Sequence, residues 1–335
     1  MKNCGIFFTG EFSVMTAQES MNTSVNDIVK LIDCLNSLYE GDLAADLLVA
    51  CGKDAIPHLR KYLMEGQPSH IYQPRQQAVN ALTRLGARDV LIEYLCSPKE
   101  IPDPAFRFGE EAVENTAARA LTRWQTNDVF EVLLRIAQTR TLSGIIEALG
   151  SFRRPAAVPL FINALMDDVS RTAAENALKS MGKMAKPALM EATITPASSE
   201  NYESPSILLR RRSAIRILAG MTVTTEDWSQ LKRLLYDDDP EITISASRIA
   251  MDVPDCKDKS MVVRAMIEKI PSINWYVQTE IENCLIKHYD VAQKEIADQI
   301  AQRKLPSEKA QASDPVLQIL IGVRNRAKRS SANAD

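Results

Sequence analysis

The sequence predicts an all-α protein, organised as a solenoid of about eight to nine stacked helix pairs. Three observations carry that expectation. Apolar residues recur at helical spacing, and the whole pattern recurs about every 34 residues. Leu and Ala fill most apolar positions, whereas aromatics make up only 6% of the chain and there are 12 glycines, which suits close helix packing better than a sandwich or barrel. Each expected helix also has one narrow apolar face, so a single pair buries too little to stay folded without neighbours.

The clearest unit spans residues 156–182. In its first half Val158, Phe161, Ile162 and Leu165 stand at i, i+3, i+4 and i+7, on one face of a helix. Pro159 falls in the first turn, where its missing N–H is harmless. Asp167, Asp168 and Ser170 form a polar turn in which Ser170 or Asp168 can cap the next helix. Ala174, Ala177, Leu178 and Met181 repeat the four-point frame, and Gly182 follows where a left-handed residue ends a helix cheaply.

The second-helix frame can be followed along the chain. It starts at Ala44, Ala78, Ala117, Leu142, Ala174, Ala214, Ala246, Ile281 and Val316, with glycine after the copies at 44, 78, 142 and 174. First helices fit between these frames, marked by Ile56-Pro57 with Leu59 and Leu63, by Leu91 and Leu95, by Val129 to Ile136, by Pro187 to Leu189, by Leu231 to Leu235, by Val262 to Met266, and by Ile296 and Ile300. Residues 22–40 and 313–327 would be terminal caps of a single array over 22–327. Residues 1–21 read as a flexible extension, with Met15 and Met21 as alternative starts, and 328–335 as a disordered polar tail.

The pattern resembles HEAT repeats, particularly the bacterial HEAT-like type shared with phycobilisome lyases. The matching residues are the Ile56-Pro57 and Val158-Pro159 starts, Arg75, Arg171 and Arg211 three positions before the frame, and the AxxAL and LG endings. The copies at 246, 281 and 316 depart from it by lacking the terminal glycine. The resemblance implies a right-handed α-α superhelix and, in most such arrays, a scaffold rather than an enzyme.

Net charge is −3 with a pI near 5.8, so the chain has no strong general bias toward nucleic acid. No apolar run approaches the roughly 20 residues that span a bilayer. The N-terminal stretch fits a secretory signal poorly. The six cysteines form no CxxC pair and read as reduced packing residues, with Cys51 and Cys284 at buried frame positions. A cytoplasmic protein follows from these readings.

Candidate chemistry is sparse. His58, His70 and His288 form no HExxH or His-Glu pair, which separates the chain from the HEAT-like deoxyhypusine hydroxylases that hold iron on such pairs. Zinc spacing, P-loops and GxSxG are absent, so no catalytic residue, metal or cofactor is assigned. Asp237-Asp238-Asp239-Pro240 reads as a helix cap rather than a metal site.

Two surfaces remain. Positions −2, +2 and +6 of the frame share a helix face and hold eight basic residues and one acidic, among them Arg84, Arg119, Arg123, Arg212, Arg216 and Arg248, with Asn176 in a neutral stretch between them. As the concave face of a HEAT-type stack, this stripe would attract an anionic ligand. The links 65–74, 97–109 and 193–207 are longer than the period needs, and they offer Tyr72, Phe106, Phe108 and Tyr202 as aromatic anchors on one rim.

The expected function is therefore a non-enzymatic scaffold for a protein partner bearing an acidic segment. The alternatives are a lyase or assembly factor like the HEAT-repeat phycobilin lyases, or a DNA-binding protein like the HEAT-like alkylpurine DNA glycosylases. Those glycosylases use tryptophans in a basic groove, whereas Trp124 here falls in the packing frame and Trp228 and Trp275 near helix starts, so nucleic acid is the less favoured ligand.

Overall fold

The computed structural model describes residues 25–194, 203–254, 256–303 and 314–332. Among them the chain is all-helical, with no strand. It divides into two compact units, Met1–Trp124 and Gln125–Asp335.

The first unit contains α1 (Val25–Cys34), α2 (Gly41–Ala50), α3 (Ile56–Glu65), α4 (Gln73–Arg84), α5 (Arg88–Cys96) and α6 (Pro104–Leu121). Second helices touch second helices, α2 on α4 and α4 on α6, while α1, α3 and α5 contact one another in order. The second unit contains α7 (Asn127–Thr139), α8 (Ser143–Phe152), α9 (Val158–Ala164), α10 (Arg171–Met181), α11 (Lys186–Ile194) and α12 (Pro205–Leu218). It continues with α13 (Thr225–Leu231), α14 (Pro240–Asp252), α15 (Lys259–Lys269), α16 (Trp275–Lys287), α17 (Tyr289–Gln302) and α18 (Pro315–Ala332). Here α8, α10, α12, α14, α16 and α18 pack consecutively. Helix α18 runs through Ala332, so residues 328–332 of the expected tail are helical. Residues 1–21 and 333–335 lie outside the described residues.

The four-point frame is the core. All four positions are buried in the copies starting at Leu142, Ala174, Ala246 and Val316. Each fully buried aliphatic side chain contributes roughly 1.5–3 kcal/mol. The frame opens in α2, where Leu47 is exposed, and Cys51 and Trp124 are half-buried rather than buried.

Helix ends depart from expectation at two points. Gly52, Gly86 and Gly182 have positive φ, as a helix-ending glycine should. Gly150 does not end its helix, because α8 continues to Phe152 and stops at Arg153, the one left-handed non-glycine described. Gly150 serves packing instead, since a Cβ there would lie 2.9 Å from that of Ala177 on α10. At the head of α10 neither Ser170 nor Asp168 caps the helix. Asp167 holds the turn by accepting from the Ser170 N–H at 2.8 Å, and Asp168 pairs with Arg171 at 2.7 Å. Asp239 does cap α14, accepting from the Glu241 and Ile242 amides, each at 3.1 Å.

Arg75 and Arg211 tie neighbouring pairs together. Arg75, 4% exposed, donates to the Leu63 carbonyl near the end of α3 at 2.7 Å and to both Glu110 oxygens on α6. Tyr94 donates to the same carboxylate at 2.7 Å, and burial pushes its hydroxyl pKa upward. Arg211 repeats the arrangement, donating to the Thr193 carbonyl at the end of α11 at 3.1 Å, to Glu203 at 2.8 Å and to Asp237 before α14. Arg171 shares their sequence position, but its one recorded ion pair is with the exposed Asp168.

Two outcomes follow. Arg75→Ala strands the buried Glu110 carboxylate and is expected to cost about 3–5 kcal/mol, against about 1 kcal/mol or less for Arg171→Ala, measured by urea unfolding. Glu295 on α17 accepts from Arg264 at 3.1 Å, and that bond, working against burial, holds its carboxyl below the usual range. The resulting stabilisation is complete above the unfolded value near ~4.3 and is lost as pH falls through the lowered folded value. Glu295→Gln is therefore expected to flatten the stability loss below about pH 4, read from denaturation at a series of pH values.

Candidate functional site

The arginine stripe is not an open basic groove. In the first unit Arg84 reaches Asp46 on α2 at 2.5 Å, and Arg123 donates to the Thr83 carbonyl at 3.4 Å. Arg119 is exposed and also engaged. In the second unit Arg212 pairs with Asp239 and Glu241, Arg216 with Glu175 and Glu241, and Arg248 with Glu280 at 3.1 Å. Lys287 and His288 both meet Asp252, at 2.6 and 3.1 Å. Burial acts to raise the Asp252 carboxyl, but these partners outweigh it and hold it below the ordinary range. Asn176 is exposed on α10, whereas Gly144, Ala148 and Ile244 of the same register are buried. The expected stripe is thus a ladder of arginines interleaved with acids from adjacent helices, interrupted where small or apolar residues pack. The expectation of an acidic partner segment loses its support.

An open polar recess of about 250 Å³ lies in this ladder, lined by Arg248, Asp252, Glu280, Cys284 and His288 among others. Its charges are paired with one another, and burial pushes the Cys284 thiol up to about 11, so the thiol is unreactive at neutral pH. Cys34, Cys51, Cys96, Cys256 and Cys284 are free. Among the described residues no group of His, Cys, Asp or Glu is placed to hold a metal ion. Nor is any helix among them long and apolar enough to cross a membrane.

The rim residues fare differently. Helix α6 begins at Pro104, so Phe106 and Phe108 stand on its first two turns and not on a loop. Asp103 starts that helix early by accepting from the Ala105 and Phe106 amides at 2.8 and 3.0 Å. Phe106 stacks on His70 with centroids 6.1 Å apart and planes 14° apart, and Phe108 meets Tyr72 edge-on at 6.3 Å. Lys99 donates to the Gly66 carbonyl at 2.7 Å and pins the two links side by side. Gly109 allows the closest approach, since a Cβ there would fall 2.0 Å from the Ser69 carbonyl oxygen. Phe106, Phe108, His70 and Ile71 are exposed and form one aromatic patch together with the half-buried Tyr72. Tyr202 lies outside the described residues.

The patch belongs to a wider bias. Thirteen large apolar side chains are exposed among the described residues, and ten of them lie in first-to-second-helix links, at the end of the helical segment leading into one, or in the opening turns of the second helix. In the first unit these are Leu38, Tyr39, Leu43, Ile71, Phe106 and Phe108; in the second, Val169, Tyr236, Trp275 and Tyr276. The opposite links, from second helix to next first helix, contribute only Met184. Trp275 is 77% exposed and sits edge-on to Tyr276 at 6.1 Å. Its exposure was readable from two adjacent aromatics at a helix start, because neighbours about 100° apart do not both face one narrow core stripe.

Neither the protein-family models nor the curated proteins compared with the chain give a match. The site reading rests on geometry alone. Gly109→Ala is expected to push the 66–72 link away from α6 at a cost of about 1–3 kcal/mol, measurable by urea unfolding and as loss of the His70–Phe106 ring contact in NMR spectra.

Proposed function

We propose that the protein is a HEAT-type helical solenoid acting as a non-enzymatic docking scaffold, and that it holds a protein partner through the first-to-second-helix links of its units. One observation carries this reading: exposed large apolar side chains concentrate on those links in both units and are nearly absent from the opposite ones. Tolerated drift in loops would scatter them over both kinds of link. Grouped exposed apolar residues mark interaction surfaces, and aromatics supply most of the energy at such contacts. The row-wise helix contacts within each unit and the repeated arginine ties at Arg75 and Arg211 support the solenoid reading.

The reading is tested with two double variants, Phe106→Ser/Phe108→Ser and Trp275→Ser/Tyr276→Ser. Each replaces partly exposed side chains and removes one or two ring contacts, so the stability cost is expected to stay at about 1–3 kcal/mol, checked by urea unfolding. Quantitative cross-linking in cells should show at least one double variant losing the partners of the wild-type chain. A partner set unchanged in both variants overturns the scaffold assignment for this rim.

A further inference from the structure

The aromatic patch of the first unit also carries a charge, and its sign identifies the chemistry of what docks there. The links that frame it hold Glu65, Glu100, Asp103 and Glu111 against Lys99 and Arg107. Both bases are committed to backbone. Lys99 donates to the Gly66 carbonyl at 2.7 Å, and Arg107 donates to the Ile101 and Pro102 carbonyls at 3.1 Å each. Glu65, Glu100 and Glu111 form no close ion pair among the described residues, and Glu65 and Glu100 are exposed; Arg60 lies within electrostatic reach of Glu65 but is bonded to Glu93 on α5. The Lys99–Gly66 bond brings the Glu65 turn beside Glu100, while Glu111 follows Phe108 by three residues on α6 and so lies on nearly the same helix face. Carboxylates without a close ion pair thus share the two links and the opening turns of α6 with His70, Tyr72, Phe106 and Phe108.

We infer that this patch binds a basic, apolar peptide segment of a partner protein, one in which an arginine or lysine stands next to a large apolar side chain. The aromatic rings take the apolar group and offer π-faces to the cation, and the free carboxylates complete its neutralisation. A guanidinium suits both surfaces, because it stacks on rings and pairs with carboxylates at once. An acidic segment meets like charge here, and elsewhere it meets arginines that already have partners. The inference rests on the scaffold reading above and adds to it the sign of the partner's charge.

The test is selection of a random 12-residue phage-displayed peptide library on the immobilised full chain. Enriched peptides are then made synthetically and titrated by fluorescence anisotropy. Three chains are compared: wild type, Phe106→Ser/Phe108→Ser, and Glu65→Lys/Glu100→Lys/Glu111→Lys. The inference expects enriched peptides carrying Arg or Lys beside an apolar residue, affinity that falls as salt rises, roughly thirtyfold weaker binding to the phenylalanine variant and about tenfold weaker binding to the charge-reversed one. Acidic or uncharged peptides that bind wild type and are lost on the phenylalanine variant overturn the basic-partner inference while leaving rim docking intact. Peptides bound equally by wild type and the phenylalanine variant overturn it by placing binding elsewhere on the chain. Failure to enrich any peptide overturns both readings.

Discussion

A helix with one narrow apolar stripe cannot bury that stripe alone, and this constraint shapes nearly everything in the two units. Ala at the first frame position lets the next helix approach, and Leu or Ile beside it fills the space between them. Gly150 shows how strict the requirement is. Its backbone does not need glycine's conformational freedom, since α8 passes straight through it, yet the gap to Ala177 leaves no room for a β-carbon. The residue that looks like a terminator in sequence is a contact residue in the fold.

The same constraint sorts polar residues into those that hold pairs together and those left over. Arg75 and Arg211 stand where the end of one helix, with its unsatisfied carbonyls, meets a carboxylate from the next pair. A guanidinium has enough donors to serve both at once. Arg171 holds the same repeat position, but its recorded ion pair is with the exposed Asp168, three residues before it. Position in the repeat nominates an arginine for the tie, and the neighbouring carboxylate decides whether it forms.

The helical frame was legible almost residue by residue, because burial of a periodic stripe is a local consequence of spacing. The stripe's charge was not. Reading one helix face at −2, +2 and +6 counts the arginines but omits acids one position to either side of other frames, such as Glu175 and Glu280, which long side chains reach readily across a helix–helix groove. It also omits Asp46, on the copy before the first one read. A face that is basic within each helix becomes close to neutral between helices. The links were half legible. Their excess length and aromatic content pointed to residues that group at the surface, but Pro104 after Asp103 is a helix start in its own right, and it carries Phe106 and Phe108 onto α6.

Neutralisation along the second helices and aromatic exposure at the links are complementary consequences of one architecture. Charges on the packed helices lie within reach of the next helix, so they find partners there and are spent on cohesion. Lys99 and Arg107 satisfy themselves on backbone carbonyls close by in sequence or across one link, which a flexible cation can do. Carboxylates near them have fewer local options, because the helix-start amides they would cap are few and Asp103 already takes those of α6. The links that carry the exposed rings are therefore richer in acids without a close ion pair than in uncommitted bases. This local asymmetry, rather than the overall charge of −3, is what the proposed docking of a basic segment rests on.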